Sequence, residues 1–449
     1  MMFFENTRNP ILPLNIHVPD SEAHVMPDGK LYIYGSFDLL EDVYCSEEYH
    51  VVSTPDMKHW TIHDTALEGK RVPWFNDPDA PKYPGIDWTH PTPFILKMMQ
   101  RDRESGVDMK AELEKNADKP KPPLLFAPDC LEKDGMYYLY FCMPDDSEGV
   151  AISDKPEGPF GEISRLPVGG IDPAIFIDED GTPYYYWGQL FSHGVKLNND
   201  MRSFAPSDVV NDLVTEEEHY FHEGSSMRRI GDTYYYIYAD MERGKPTSLG
   251  YSTGPTPMGP FTYRGIIIDN DGCDPASWNN HGSIERFNGQ WYVFYHRCSR
   301  GVQQHRRLCI EKIEIAPDGS IPEVKMTSQG IGEPFTPGEA IYAYQACGVS
   351  GRCFIGLGGP YEEELTGIAD GDTAIFRYVK SEAGFHSVKL ECVGSGKIDL
   401  MFEDENVGTV SVQDGIQQNS AIRAIAGEHE LRLCFRETDG LSVRKLTLF

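Results

Sequence analysis

One phrase recurs along this chain and limits what it can fold into. It reads "DGKLYIYGS" from Asp28, "DGMYYLYFC" from Asp134, "DGTPYYYWG" from Asp180, "GDTYYYIYA" from Gly231 and "NGQWYVFYH" from Asn288. Glycine beside Asp or Asn supplies the positive backbone angles of a tight hairpin turn. The aromatic run that follows each pair favours a strand. The last four copies begin at residues 134, 180, 231 and 288, so they lie 46, 51 and 57 residues apart. Such a period is close to that of propeller blades, and an unrelated sandwich with similar hairpins is the weaker reading.

A second phrase follows several copies: "STPDMKHW" from Ser53, "SDKPEGPFGE" from Ser153 and "STGPTPMGPFTY" from Ser252. Pro and Gly interrupt the chain there, and an aromatic residue returns it to a strand. Hairpin, breaker and returning strand together make one four-stranded blade, so five copies predict five blades. The first two copies stand further apart, at 28 and 134. The charged excursion between them is expected to carry a short helix over Met109–Lys115 and to shape the mouth of a site.

After about Pro322 the blade phrase disappears, and no Trp follows Trp291. "DTAIFRYV", "HSVKLECV", "KIDLMFED", "GTVSVQ" and "HELRLCFRE" alternate as half-buried strands do. The expectation is an all-β chain. A five-bladed β-propeller occupies residues 1–325, and a β-sandwich, jelly-roll-like, occupies residues 326–449, with "SQGIGEPFTPGEA" as the linker.

Charge and composition narrow the partners. A net charge of −30 repels a phosphate backbone, so no nucleic-acid partner is expected. No run approaches the roughly 18 apolar residues of a membrane span. The opening "MMFFENTRNP" lacks the basic-then-apolar pattern of a signal peptide, which makes a cytoplasmic location the expectation. Cys130, Cys142, Cys298, Cys309, Cys392 and Cys434 lie in or beside strand-like segments and read as free buried thiols. Cys347 and Cys353 would close a small loop only in an oxidising compartment.

Several carboxylates sit where turn chemistry does not explain them. Asp20 in "VPDSEAH", Asp129 in "FAPDCLEKDG" and Glu223 in "HEGSSMRRIGD" each precede a repeat phrase by 5 to 8 residues, and Asp172 in "GGIDPAIF" precedes its own by eight. Matched positions in successive blades converge on the propeller axis. Carboxylates gathered there repel one another and raise the pKa of a member. That suits acid–base work better than stability. Glycoside hydrolysis needs such a set: one carboxylate activates water and a protonated partner protonates the leaving oxygen.

On these residues the chain resembles glycoside hydrolase family 43, five-bladed β-propeller arabinofuranosidases, xylosidases and arabinanases. The resemblance covers roughly residues 8–325 and rests on "NPILPLNIHVPDSEAH", "FAPDCLEKDGMYYLYF", "EGSSMRRIGDTYYYIY" and "HGSIERFNGQWYVFYHR". It implies Asp20 as general base, Glu223 as general acid and Asp129 as the residue that orients the acid and tunes its pKa, in a single displacement with inversion. Two departures stand out. Phe126 occupies the place of the family's usual Trp, and Ser21 follows the base where Pro is common.

The resemblance also assigns Arg297 of "YHR" to the substrate, although an ion pair within the blade is an equal reading. His281 of "NNHGSIERF" is either a turn residue or the histidine that helps hold a cation, often calcium, on the axis beneath the substrate; such a site would be completed largely by water. No cofactor is expected for the chemistry itself. Phe126 and Asp172 are expected to shape the sugar site. Trp88 is the better candidate for stacking on a sugar, and Trp187 for core packing. "ELTGIADGDTAIFRYV" with "GFHSVKLEC" resembles carbohydrate-binding module family 6. Tyr361, Phe354 and Phe385 are its candidate sugar-binding rings, but packing against the propeller is the favoured role for this domain. The expected substrate is an arabinose- or xylose-containing oligosaccharide. The expected reaction is exo-acting release of α-L-arabinofuranose, with β-xylosidase activity or, less readily, a non-catalytic glycan-binding propeller as alternatives.

Overall fold

The computed structural model describes residues 1–80, 88–91, 93–106, 108, 110–111, 121–273, 280–359, 362–413 and 418–449. Its strands form five antiparallel sheets up to Ile313 and one larger sheet after it. Each repeat phrase opens the second strand of its blade. Lys133 faces Met136 and Phe287 faces Gln290 across two-residue turns. Asp134 with Gly135, and Asn288 with Gly289, all have positive φ there, which is what a turn matching the strand twist requires.

The innermost strands are Glu22–Val25, Phe126–Lys133, Ala174–Ile177, Phe221–Ile230 and Ser283–Phe287. Successive inner strands pack on one another, except that the fourth blade meets Ser283–Phe287 through its second strand, Thr233–Asp240, and Ser21 bridges to Gly282 where the first and fifth blades meet. A side chain at Gly282 would lie 1.9 Å from the Phe294 carbonyl, so this junction admits only glycine.

The blades are less uniform than four strands each. Met2–Glu5 adds a fifth strand to the first blade by pairing with His59–Glu68. The third blade has three strands. The fifth also has three, and the chain's own beginning lies along its outer edge: Ile11 N–H donates to the Leu308 carbonyl, and Asn9 exchanges bonds with Ile310 through both ends of its side-chain amide. Ring closure therefore combines backbone and side-chain hydrogen bonds with apolar packing, as Ile11, Val18, Ile33, Phe294, Leu308 and Ile310 share one buried cluster.

A helix spans Pro93–Ser105 in the excursion. The helix expected over Met109–Lys115 lies mostly outside the described residues. No helix among the described residues is long and apolar enough to cross a membrane. All ten cysteines are free of disulfides, and nine are buried, as expected of packing thiols; Cys347 and Cys353 are not joined.

Strands from Ala340 to Leu448 form a nine-stranded curled antiparallel sheet with its own core, including Phe376, Leu390, Leu400, Leu433 and Leu446. Phe385 is fully buried in that core and packs edge-on against Phe402. Phe354 packs over Gly301 of the propeller. Neither ring is presented to a sugar, and Tyr361 lies outside the described residues. The sheet is fastened to the propeller by buried polar contacts: Arg307 pairs with Glu363 at 2.9 Å, and Arg300 N–H donates to the Ile355 carbonyl at 2.6 Å.

Candidate active site

At one end of the axis lies a cavity of about 270 Å³ lined by Asp20, Asp172, Glu223, His281 and Arg306, with Tyr44, Phe126, Gln189 and His222 among its walls. Backbone irregularity aims the carboxylates into it. Asp20 and Asp172, eight residues ahead of their respective turns, share a left-handed backbone at φ 55 and φ 56. Aspartate tolerates this region better than most residues, and such strain concentrates at working sites. Gly35 lets the base's loop close in, because a side chain there would meet the Pro19 carbonyl at 2.3 Å. Glu223 sits between two register shifts in its pairing with Thr233–Asp240, and a bulge of this kind re-aims a side chain.

Asp20 is the best-anchored group. Arg306 Nη1 donates to its two oxygens at 2.7 and 3.0 Å, and the Ser36 hydroxyl donates to Oδ2 at 2.6 Å. Burial opposes its charge, but Arg306, His281, His296 and Ser36 together hold its carboxyl below the ordinary aspartate value. Arg306 is itself fixed by Asp38, which accepts from Nε and Nη2 at 2.9 Å each, and its guanidinium lies 4.9 Å from the Tyr44 ring centre. Glu223 accepts from Gln189 Nε2 at 2.6 Å, with His222 Nε2 3.8 Å from the same oxygen.

Asp172 completes the group. Burial, followed by the charges of Glu223 and Asp20, pushes its carboxyl well above the ordinary value. His281 Nδ1 stands 3.7 Å from Asp20 Oδ1 and 3.8 Å from Asp172 Oδ2, and burial keeps its ring below the ordinary histidine pKa. The glycine after Glu223 makes room for that ring, which a side chain at Gly224 would meet at 2.7 Å.

The residues expected from the sequence therefore divide. Asp20, Glu223, Asp172, Phe126 and His281 come together in the cavity. Asp129 does not line it. A register shift separates Phe126 from Asp129 on one strand, and the aspartate turns inward behind the wall. There it meets His24 Nε2 at 2.8 Å and accepts backbone bonds from Cys130 and Ile175 at 2.6 and 2.7 Å. Arg297 is a second correction. Its guanidinium points away from the axis and donates to Cys309 Sγ and to the carbonyls of Ala346 and Thr327, so it ties the fifth blade to the following sheet. Trp88 lines a separate hollow with Met99, Arg103 and Lys110. Trp187 is buried against Tyr185 and His193, as expected of a core ring.

Arg306 was missed. The adjacent arginines 306 and 307 in "QHRRLC" must face opposite sides of a strand, which was the available signal.

A calcium site on the axis can be weighed against the donors present. Calcium takes six to eight oxygens. Among the described residues, the ligand atoms that converge closely enough belong to Glu22, His24 and Asp129, all buried, and His281 is not in that group. Arg228 donates to Glu22, and both oxygens of Asp129 accept protein donors. These residues do not fit a resident calcium held by protein oxygens.

Comparison with known proteins agrees with this architecture. Residues 102–321 match the family model described as glycosyl hydrolases family 43. A xylosidase/arabinosidase of Thermoclostridium stercorarium is 28% identical, over 98% of this chain and 98% of its own length. A beta-xylosidase of Xylanibacter ruminicola is 32% identical over 44% of this chain and 73% of its own. Among solved structures, a family 43 beta-xylosidase/alpha-arabinofuranosidase from a compost microbial metagenome, in complex with xylotriose and in a calcium-free form, superposes with a TM-score of 0.53 at 28% identity. That match covers 72% of this chain and 99% of the other.

Proposed function

Since the chain belongs to glycosyl hydrolase family 43 and is a glycoside hydrolase, we propose that it removes single terminal pentoses from arabinoxylan-derived oligosaccharides by an inverting mechanism, with α-L-arabinofuranose as the preferred sugar. The observation that carries the reading is the opposite treatment of carboxylates in one small cavity. Arg306 holds the Asp20 carboxyl below its ordinary value against burial, whereas burial and the charge of Glu223 push that of Asp172 well above its own. An ionised carboxylate can take a proton from water, and a carboxyl pair that retains a proton can deliver one to a leaving oxygen.

In this mechanism Asp20 is the base, activating water for attack on the anomeric carbon. Glu223, oriented by Gln189, is the acid. Asp172 takes the tuning role first given to Asp129, because like charges this close cannot both ionise freely. Phe126 and Tyr44 offer apolar faces to the ring, while the guanidinium of Arg306 is taken up by Asp20 and Asp38. A cavity near the lower end of the usual 300–1,000 Å³ range favours a terminal sugar over a threaded chain.

A β-xylosidase is the second reading, favoured by the relatives named for that activity. Aryl α-L-arabinofuranoside and aryl β-D-xyloside separate the two when assayed with wild type, Asp20→Ala and Glu223→Ala. Each alanine variant is expected to lower kcat/KM on the better substrate by about 10³-fold. The loss in Glu223→Ala should be smaller on the aryl glycoside than on an oligosaccharide, whose leaving group depends more on the acid. Wild type that cleaves neither glycoside defeats the exo-pentosidase reading, and an active Asp20→Ala removes that residue as the base.

A further inference from the structure

Beneath the cavity the inner strands bring a second set of charges together. Glu22, His24, Asp129 and Arg228 are all buried, and Glu285 borders them. Ligand atoms of Glu22, His24 and Asp129 lie within 4.8 Å of one another, the spacing of a metal site. The guanidinium of Arg228 already engages it. Its Nη2 donates to Glu22 Oε1 and to the Ala23 carbonyl, both at 2.7 Å, and its Nη1 donates to the Met227 carbonyl at 2.8 Å. Its Nε stands 3.2 Å from Glu285 Oε2. The Ser226 hydroxyl adds a further bond to Glu22 Oε1 at 2.9 Å.

We propose that Arg228 is the built-in cation of the propeller axis, doing there what a divalent ion would otherwise do, and that the enzyme needs no calcium, either in this cluster or held through water by His281 in the cavity. The geometry makes the two cations exclusive. An ion bonded to Glu22 Oε1 at calcium distance would lie within roughly 5 Å of Nη2, with two like-signed centres competing for one oxygen. The oxygens of Asp129 are also occupied, by His24 and by two backbone amides. A guanidinium stays charged at every working pH and presents a fixed fork, so its charge cannot be chelated away. It is also placed by the same strand that carries Glu223, five residues earlier.

The test compares the full-length wild type with Arg228→Gln, each stripped with EDTA and then given millimolar calcium. Pentosidase rate and Tm are read in both states. Stripped wild type should keep its rate within about twofold. In Arg228→Gln the carboxylates lose their counter-charge, so calcium should raise its Tm by more than it raises the wild type's, a linkage shift that binding at any other site cannot mimic. A tenfold or larger loss in stripped wild type that calcium restores would overturn the proposal, as would a calcium response of the variant's Tm no greater than the wild type's. Should Arg228→Gln fail to accumulate folded, the stripped wild type decides alone. The Tm comparison needs no substrate, so it stands or falls separately from the pentosidase reading.

Discussion

Two arginine-centred clusters are stacked along one axis, and they differ in a single respect. The upper one joins Arg306 to Asp20 and Asp38, and the lower one joins Arg228 to Glu22 and Glu285. Asp20 and Glu22 are two residues apart, so one stretch of chain delivers a carboxylate to each level. Asp20 opens onto a cavity, whereas the lower carboxylates are closed in by protein donors. The difference teaches that a buried carboxylate with an arginine is not in itself an active site. An unfilled space beside it, where water and sugar can enter, separates chemistry from framework.

The sharpest way to break this comparison is to remove the arginine at each level. Arg306→Gln should lower kcat/KM by about 10²-fold, because Asp20 loses the partner that keeps it ionised and the cavity loses its cation. Arg228→Gln should instead cost about 3–5 kcal/mol of stability, the usual penalty for leaving a buried charge unpaired, while the folded fraction turns over near the wild-type rate. Denaturant titration beside steady-state kinetics reads both. If the two variants fail in the same manner, the division between the levels is wrong.

A finer cut exchanges the two aspartates. Asp172→Asn removes a carboxyl that repels the charge of Glu223, so the acid should ionise more readily and the basic limb of kcat/KM should move to lower pH. Asp129→Asn should leave that profile in place. An unmoved limb in Asp172→Asn would return the tuning role to Asp129.

The smallest effect is on stability against pH. Burial pushes Glu22 and Asp129 up to about 7 each. Between the ordinary carboxylate range and pH 7 the folded state therefore holds protons that the unfolded chain has released. Stability falls as pH rises through that window, by up to about 1.4 kcal/mol per pH unit per proton. Glu22→Gln should flatten the fall, as seen in urea midpoints taken between pH 5 and 7. Asp20, held below its ordinary value, contributes in the opposite sense: its stabilisation is present above the ordinary range and lost as pH falls.

Much of the fold was legible because its signals are local. A turn such as Asn288-Gly289 declares itself wherever it stands, so the blade count could be read from repeated turns. Asp20 and Glu223 were legible from their position relative to those turns. Asp129 and Asp172 were harder to rank, since both precede a repeat phrase. What separates them is a register shift after Phe126 and a left-handed backbone at Asp172, neither of which residue types encode. Arg297 and Arg306 were confused for a related reason. They lie on neighbouring strands whose pairing brings Arg297 opposite Arg307, and only the closed ring decides which face meets the axis. The unequal blades were hidden as well, because an edge completed by residues far away in sequence leaves no local trace.

That remote edge has a consequence for how the molecule is made. Asn9 leaves the ribosome some three hundred residues ahead of Ile310, Glu311 and Thr327, the residues its side chain bonds. The opening segment must wait, unpartnered, while some three hundred residues are synthesised. Contacts of such long reach slow folding and expose intermediates to misassembly. A nascent propeller that lacks its last blade is a spiral with two open ends rather than a smaller ring, and the catalytic pocket exists only once the spiral has been locked.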